Sequence, residues 1–235
     1  MKKIICVISI LILPIVLWIS LSSAALLFDQ SSLKEGTTNI SRPSSLFTDG
    51  KWYWCADDFE LAQESSISSY YWVGDASNSD SSDNVVGFYL KIYPDFYDIE
   101  LGHYRPADHP IYEEYFSMND VTESDIGVSG WSGYLATSSS AFTADPNTTY
   151  WLRIQADINN GYQPPYPDYI WGWHFSDTSN GNSGEYNSKF CNHLAVNNDY
   201  AFSLYGSPVP IPAAAWLLGS GLIGLVAFGG RRRRY

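Results

Sequence analysis

Positive charge is scarce in this chain, cysteine is rare, and the periodicity of amphipathic helices is nearly missing. Of 235 residues, 13 are Lys or Arg and 25 are Asp or Glu. Six of the basic ones, Lys2, Lys3, Arg231, Arg232, Arg233 and Arg234, lie at the two ends. Seven basic residues therefore face 25 acidic ones between Ala25 and Pro208, a formal charge of −18. A segment so acidic repels nucleic acid and anionic lipid headgroups, and no nucleic-acid partner is expected. Signatures of hydrolases and nucleotide binders are missing too: there is no G-x-S-x-G elbow, no H-E-x-x-H and no P-loop. The four histidines, His103, His109, His174 and His193, follow no standard zinc spacing.

Aromatic residues are plentiful instead, at 16% of the chain, set among Ser, Asn, Asp and Gly. Short alternating runs predict strands near 52–61, 66–73, 85–93, 111–118, 129–135, 150–156, 169–175 and 200–205. Turn-rich stretches separate them: "GDASNSDSSDN", "TADPNTT", "NNGYQPPYPD" and "SDTSNGNSGEYNS". In "GFYLKIY", Phe88, Leu90 and Ile92 share one face while Tyr89, Lys91 and Tyr93 share the other. In "YWLRIQA", Trp151, Arg153 and Gln155 oppose Tyr150, Leu152, Ile154 and Ala156. About eight such strands without helices between them predict one all-β domain over 25–208, an antiparallel β-sandwich, with 25–49 as an irregular lead-in able to add an edge strand.

Several groups in this domain are candidates for chemistry, each with a plainer reading beside it. Asp57, Asp58 and Glu60, and Glu113 with Glu114, are close in sequence, but neighbours on a strand point to opposite faces, so neither set forms an acid–base pair by spacing alone. A carbohydrate-active enzyme would need carboxylates from different strands. Asp75, Asp80, Asp83 and Asn84 gather oxygen ligands for a structural Ca²⁺, without the EF-hand spacing; the plainer reading is a polar loop. Tyr162, Tyr166, Trp171 and Trp173 form an aromatic set that could stack on sugar rings if exposed, or fill a sandwich core if not. Cys55 and Cys191 are either a disulfide or two buried thiols.

The ends read as targeting segments. Lys2 and Lys3, an apolar run from Ile4 to Leu21, and "SSAA" make a secretory signal peptide over 1–24, with cleavage by signal peptidase between Ala24 and Ala25; the alternative is an uncleaved membrane helix. At the other end, 209–235, a stretch of 22 residues from Val209 to Gly230 carries no charge and is followed by the four arginines. A membrane helix over 213–230 with a cytoplasmic Arg cluster is expected. "GSGLIG" within it has glycine-loop spacing, but no buried strand precedes Gly219 and no acid follows Gly224.

An ordinary anchor does not need Pro208, Pro210 and Pro212 before it. Val209, Pro210, Ile211, Pro212, Ala213 and Trp216, then the apolar helix and Arg231–Arg234, resemble the VPLPA-CTERM variant of the PEP-CTERM sorting signal of Gram-negative bacteria, with Ile211 where Leu is usual. The resemblance implies an exosortase substrate: the tail is cut near the prolines, and the protein passes from an inner-membrane intermediate to the cell surface or extracellular matrix. It also implies association with exopolysaccharide and biofilm. "CADDFEL", "SISSYYWVGD", "GFYLKIY", "NTTYWLRIQA", "WGWH" and "YAFSLYG" resemble the jelly-roll-like ectodomains found before such tails. The expectation is thus a non-enzymatic exported protein with glycan contacts. A secreted carbohydrate-binding module or carbohydrate-active enzyme, and a permanent single-pass protein, are the alternatives.

Overall fold

A computed structural model of the chain describes residues 24–33, 41–43, 45–46, 53–76, 85–128, 130–158, 171–178, 183–187, 192–196 and 199–209. The first strands are β1 (Ala25–Asp29), β2 (Ser41–Pro43), β3 (Ser45–Leu46), β4 (Tyr53–Glu60) and β5 (Ser65–Ala76). There follow β6 (Val85–Asp98), β7 (His103–Pro106), β8 (Tyr112–Ser117), β9 (Val121–Asp125) and β10 (Trp131–Ala144). The last are β11 (Thr149–Ile158), β12 (Trp171–His174), β13 (Ser183–Asn187), β14 (Asn192–Val196) and β15 (Phe202–Pro208). Among the described residues the helical content is one 3-10 turn, Met118–Asp120. The fold class is all-β.

The strands form two sheets. A seven-stranded sheet runs β1-β15-β5-β10-β9, with β12 following β15 along the same edge of β5 and β2 outside β12. An eight-stranded sheet runs β14-β13-β4-β11-β6-β7, with β8 also on β6 and β3 on β11. All these pairings are antiparallel except β3 with β11. The lead-in does supply an edge strand, since β1 pairs with β15.

Alternation explains why these segments sit as they do. Phe88, Leu90 and Ile92 of β6 and Leu152, Ile154 and Ala156 of β11 all enter one core, and their odd-numbered neighbours face away. The seven-stranded sheet answers with Tyr70, Trp72, Phe202 and Leu204. Rings from the two sheets meet across the interface: Trp72 on Phe88 at 5.0 Å, Phe88 on Trp171 at 5.2 Å, and Phe59 on Phe202 at 6.5 Å, mostly edge to face. The fit is close enough to demand a glycine, because a Cβ at Gly74 would overlap the indole of Trp171. Strands β6 and β10 run well past the expected 85–93 and 129–135. β10 continues to Ala144 because an irregularity between Thr137 and Phe142 absorbs the Ser138–Ser140 stretch. The displaced serines are then bound by Glu114 of β8: Ser138 Oγ donates at 2.6 Å and Ser139 N at 2.9 Å, which ties the sheets together at one edge.

The strand β13 lies inside "SDTSNGNSGEYNS", a stretch with loop composition. Its Ser, Gly and Asn are poor strand formers. Pairing with β4 on one side and β14 on the other satisfies its backbone and overrides that preference.

Candidate functional site

The eight-stranded sheet has a second face, turned away from the core. Cross-strand pairing aligns its residues in rows. Glu113, Lys91, Arg153 and Ala56 lie opposite one another across β8, β6, β11 and β4. The next row holds Tyr115, Tyr89 and Gln155, and a third holds Tyr93, Trp151 and Asp58. Trp54, Ala56, Tyr93 and Trp151 make a small apolar cluster separate from the main core.

Polar groups are interleaved with these rings. The Arg153 guanidinium lies over Trp54 with 4.6 Å to the ring centre, and Trp54 and Tyr93 are nearly parallel at 6.2 Å. Arg153 Nη1 donates to the Tyr93 hydroxyl at 3.1 Å, and Nη2 donates to Gln155 Oε1. Burial pulls the guanidinium pKa below its ordinary value, although Tyr93 works against that. Toward the open side, Lys91 Nζ meets Glu113 Oε1 at 2.5 Å, Tyr89 and Tyr115 lie 4.8 Å apart, and Tyr115 donates to Asp157 Oδ2 at 3.1 Å. Burial and the Asp157 carboxylate push the Tyr115 phenol up to about 12. Of the three described basic side chains, two, Lys91 and Arg153, belong to this face in a domain where acids dominate. Trp54 and Gln155 are closed to solvent, whereas Tyr115 is 41% exposed, so the face grades from a buried end to an open one. Flat rings beside forked hydrogen-bond donors suit a ligand with apolar ring faces and many hydroxyls.

The residues singled out from sequence fare differently. Trp171 and Trp173 are both 0% exposed, which corrects the idea that they form a sugar-stacking platform. Trp171 packs on Phe88 and Tyr134, and Trp173 stacks on Tyr200 at 4.8 Å and donates its indole N–H to the Ala201 carbonyl. Their strand lies beside β5, so both rings fill the inter-sheet layer. Tyr162 and Tyr166 lie outside the described residues. Asp75 belongs to β5, flanked by Trp131 and Gly172, so it lies on a strand and not in the loop that follows. Asp80, Asp83 and Asn84, the rest of the Ca²⁺ set, lie outside the described residues. Among the described residues, no three His, Cys, Asp or Glu side chains could hold a metal ion together.

Neighbouring acids separate to opposite faces. Glu113 reaches Lys91 on the outer face, while Glu114 binds the serines at the edge. Asp57 is buried against the seven-stranded sheet and Asp58 pairs with Trp151. The Asp57 carboxylate accepts from Gln30 Nε2 at 2.5 Å, Tyr200 N at 2.6 Å and Asp58 N at 3.0 Å. Burial, and then the Asp199 carboxylate, push it well above the ordinary 3.8. His174 is buried on β12 with its ring 3.7 Å from that of Trp131, and burial lowers its pKa. His103 sits near the tip of the β6–β7 hairpin and His109 is exposed.

Cys55 is buried in the core, and Cys191 lies outside the described residues. Ala24 is exposed and Ala25 opens β1. Val209 is described; Pro210, Ile211, Pro212, Ala213, Trp216 and Arg231–Arg234 are not. Among the described residues no helix is long and apolar enough to cross a membrane.

The outer face was missed as a site because its aromatics are spread over β4, β6, β8 and β11, with no local cluster to mark them. The alternation in β6 and β11 nevertheless places Tyr89, Lys91 and Tyr93, and Trp151, Arg153 and Gln155, on common faces. The chain matches no protein-family model, no curated protein and no solved structure.

Proposed function

We propose that the chain is an exported, non-enzymatic cell-surface or extracellular-matrix protein. Its domain is a jelly-roll-like β-sandwich that contacts polysaccharide through the outer face of the eight-stranded sheet. The observation that carries the glycan reading is the open end of this face, where Tyr89 and the 41% exposed Tyr115 lie 4.8 Å apart beside Lys91. The face's Glu113 and Asp157 are engaged by Lys91 and Tyr115, which favours binding over acid–base chemistry.

Delivery by a removable tail is supported by the "VPIPA" segment, the apolar run and the arginines. It is also supported by the placement of that motif directly after β15, which ends at Pro208. Alternating prolines keep a processing site extended and out of the sheet. Signal peptidase and exosortase are the partners this reading requires.

Affinity electrophoresis through the producing cell's own exopolysaccharide tests the binding reading. The wild-type domain is expected to be retarded and the Tyr89→Ala/Tyr115→Ala variant to run free. Equal mobility of the two, with or without retardation, removes the outer face as the site. Intact mass of the mature protein from cells with and without active exosortase tests delivery. Retention of Trp216 to Arg234 in both makes the protein a permanent single-pass one.

A further inference from the structure

β6 does not stop where β11 begins. Tyr150 of β11 pairs with Pro94, and from Asp95 to Asp98 the partner of β6 is β7. At roughly 3.3 Å per residue, those four residues and the turn beyond them carry a hairpin tip more than ~13 Å past Pro94. The tip is knit together. Asp98 accepts the amides of Glu100 at 3.0 Å and Leu101 at 3.2 Å, and Arg105 Nε donates to it at 2.7 Å. Gly102 turns the chain at φ 73°. Tyr97 and Tyr104 meet edge to face at 5.0 Å, and Arg105 lies 4.9 Å over Phe96. This ordered tip still leaves Phe96, Tyr97, Leu101 and Tyr104 about half exposed, and Ile99 is 86% exposed. Five large apolar side chains within nine residues make a patch that water alone does not explain.

The same end of the sandwich holds the exit of the chain. Pro208 pairs with Ser65, whose other neighbour is Ala144. From Ala144 the turn at 145–148 crosses to Thr149, opposite Glu60 and next to the residue that pairs with Pro94. Val209 N donates to the Glu64 carbonyl at 2.8 Å, at this end too. Three residues, and so about four Cα-to-Cα steps, separate Val209 from Ala213, where the membrane helix is expected to start. They span at most ~14 Å. The tether is therefore about as long as the hairpin.

We propose that the β6–β7 tip rests in the lipid interface while the tail holds the domain on the bilayer, giving the tethered domain a second membrane contact and a defined orientation. Ile99 and Leu101 sit at the apex with Phe96, Tyr97 and Tyr104 behind them, the order of aliphatic and aromatic residues that an interface favours. Arg105 pairs with both Asp98 and Asp108 and offsets one of their two charges, so with Glu100 the tip keeps a net charge of −2, which zwitterionic headgroups tolerate better than anionic ones. The acidic domain favours zwitterionic over anionic headgroups. This inference rests on the tail being a membrane helix.

The test is to reconstitute the full chain in phosphatidylcholine vesicles containing a photoactivatable acyl chain and to map adducts by mass spectrometry. Adducts are expected in both the tail, 213–230, and the hairpin, 96–104. The Ile99→Asn/Leu101→Asn variant, altered only at exposed positions, should lose the hairpin adducts by about tenfold and keep those of the tail. Tail adducts without hairpin adducts overturn the inference and leave the tail reading standing, whether the tip is then free or covered by a second copy. Adducts in neither segment overturn both.

Discussion

The inner layer and the outer face of the eight-stranded sheet are built from the same residue types, yet they differ in what lies between the rings. Inside, Trp72, Phe88, Trp171 and Phe202 meet one another and aliphatic side chains. Outside, the ring pairs Trp54–Tyr93 and Tyr89–Tyr115 also touch Arg153 and Lys91, so charged side chains lie among them. A ring surrounded by rings excludes water and contributes stability. A ring beside a charged side chain at an open edge, as Tyr89 and Tyr115 are beside Lys91, keeps polar groups next to an apolar surface. Aromatic content alone does not distinguish the two layers; the neighbours across the strands do.

The sharpest way to break this contrast is to remove a ring from each layer. Trp171→Ala should cost about 3–5 kcal/mol in urea unfolding, since the indole is wholly enclosed and its loss leaves a cavity. A cost below ~1 kcal/mol would place Trp171 outside the core. Gly74→Ala tests the tightness of the same layer by addition. The new methyl has to displace Trp171, and a loss of about 1–3 kcal/mol is expected by the same measurement.

Asp57 is the polar exception inside. Its folded carboxyl holds a proton to higher pH than the ordinary 3.8, so above that value the folded state binds more protons than the unfolded one. Stability from this group is therefore present at low pH and lost as pH rises from about 4 toward the folded pKa, with a slope of at most ~1.4 kcal/mol per pH unit. The urea midpoint followed against pH should show this fall, and Asp57→Asn should flatten it. A midpoint that rises through the window would assign the wrong sign to the site. The smallest effect belongs to the outer face: Tyr115→Ala should change stability by no more than about 0.5–1 kcal/mol while reducing polysaccharide retention. Large unfolding with unchanged retention would reverse the assignment of the two layers.

Much of the fold was legible along the chain. The alternation in "GFYLKIY" and "YWLRIQA" correctly separates the two faces of β6 and β11, and most expected strands occur within a few residues of their observed ends. β7, β9, β13 and β14 escaped notice because they are short and carry a mixed composition, and they are held by pairing with β6, β10, β4 and β13 respectively. The stretch "GDASNSDSSDN" begins as strand because β10 and β12 both pair with Asp75, a fact available only once those strands are in place. The candidate site was half visible: Lys91, Tyr93, Arg153 and Gln155 were assigned to faces, but nothing local joined those faces to Trp54 or Tyr115.

From the residues alone came the all-β class, the pairing of side chains by face, and the Pro-rich stretch with its apolar run and arginines. The tertiary structure alone decided which face of each strand is covered by the other sheet. The reason is that alternation with a period of two is symmetric: it divides a strand into two sets but does not say which set meets the second layer. That choice put Trp171 and Trp173 in the core, left Tyr89 and Tyr115 on the outer face, and brought the β6–β7 tip to the end from which the chain departs.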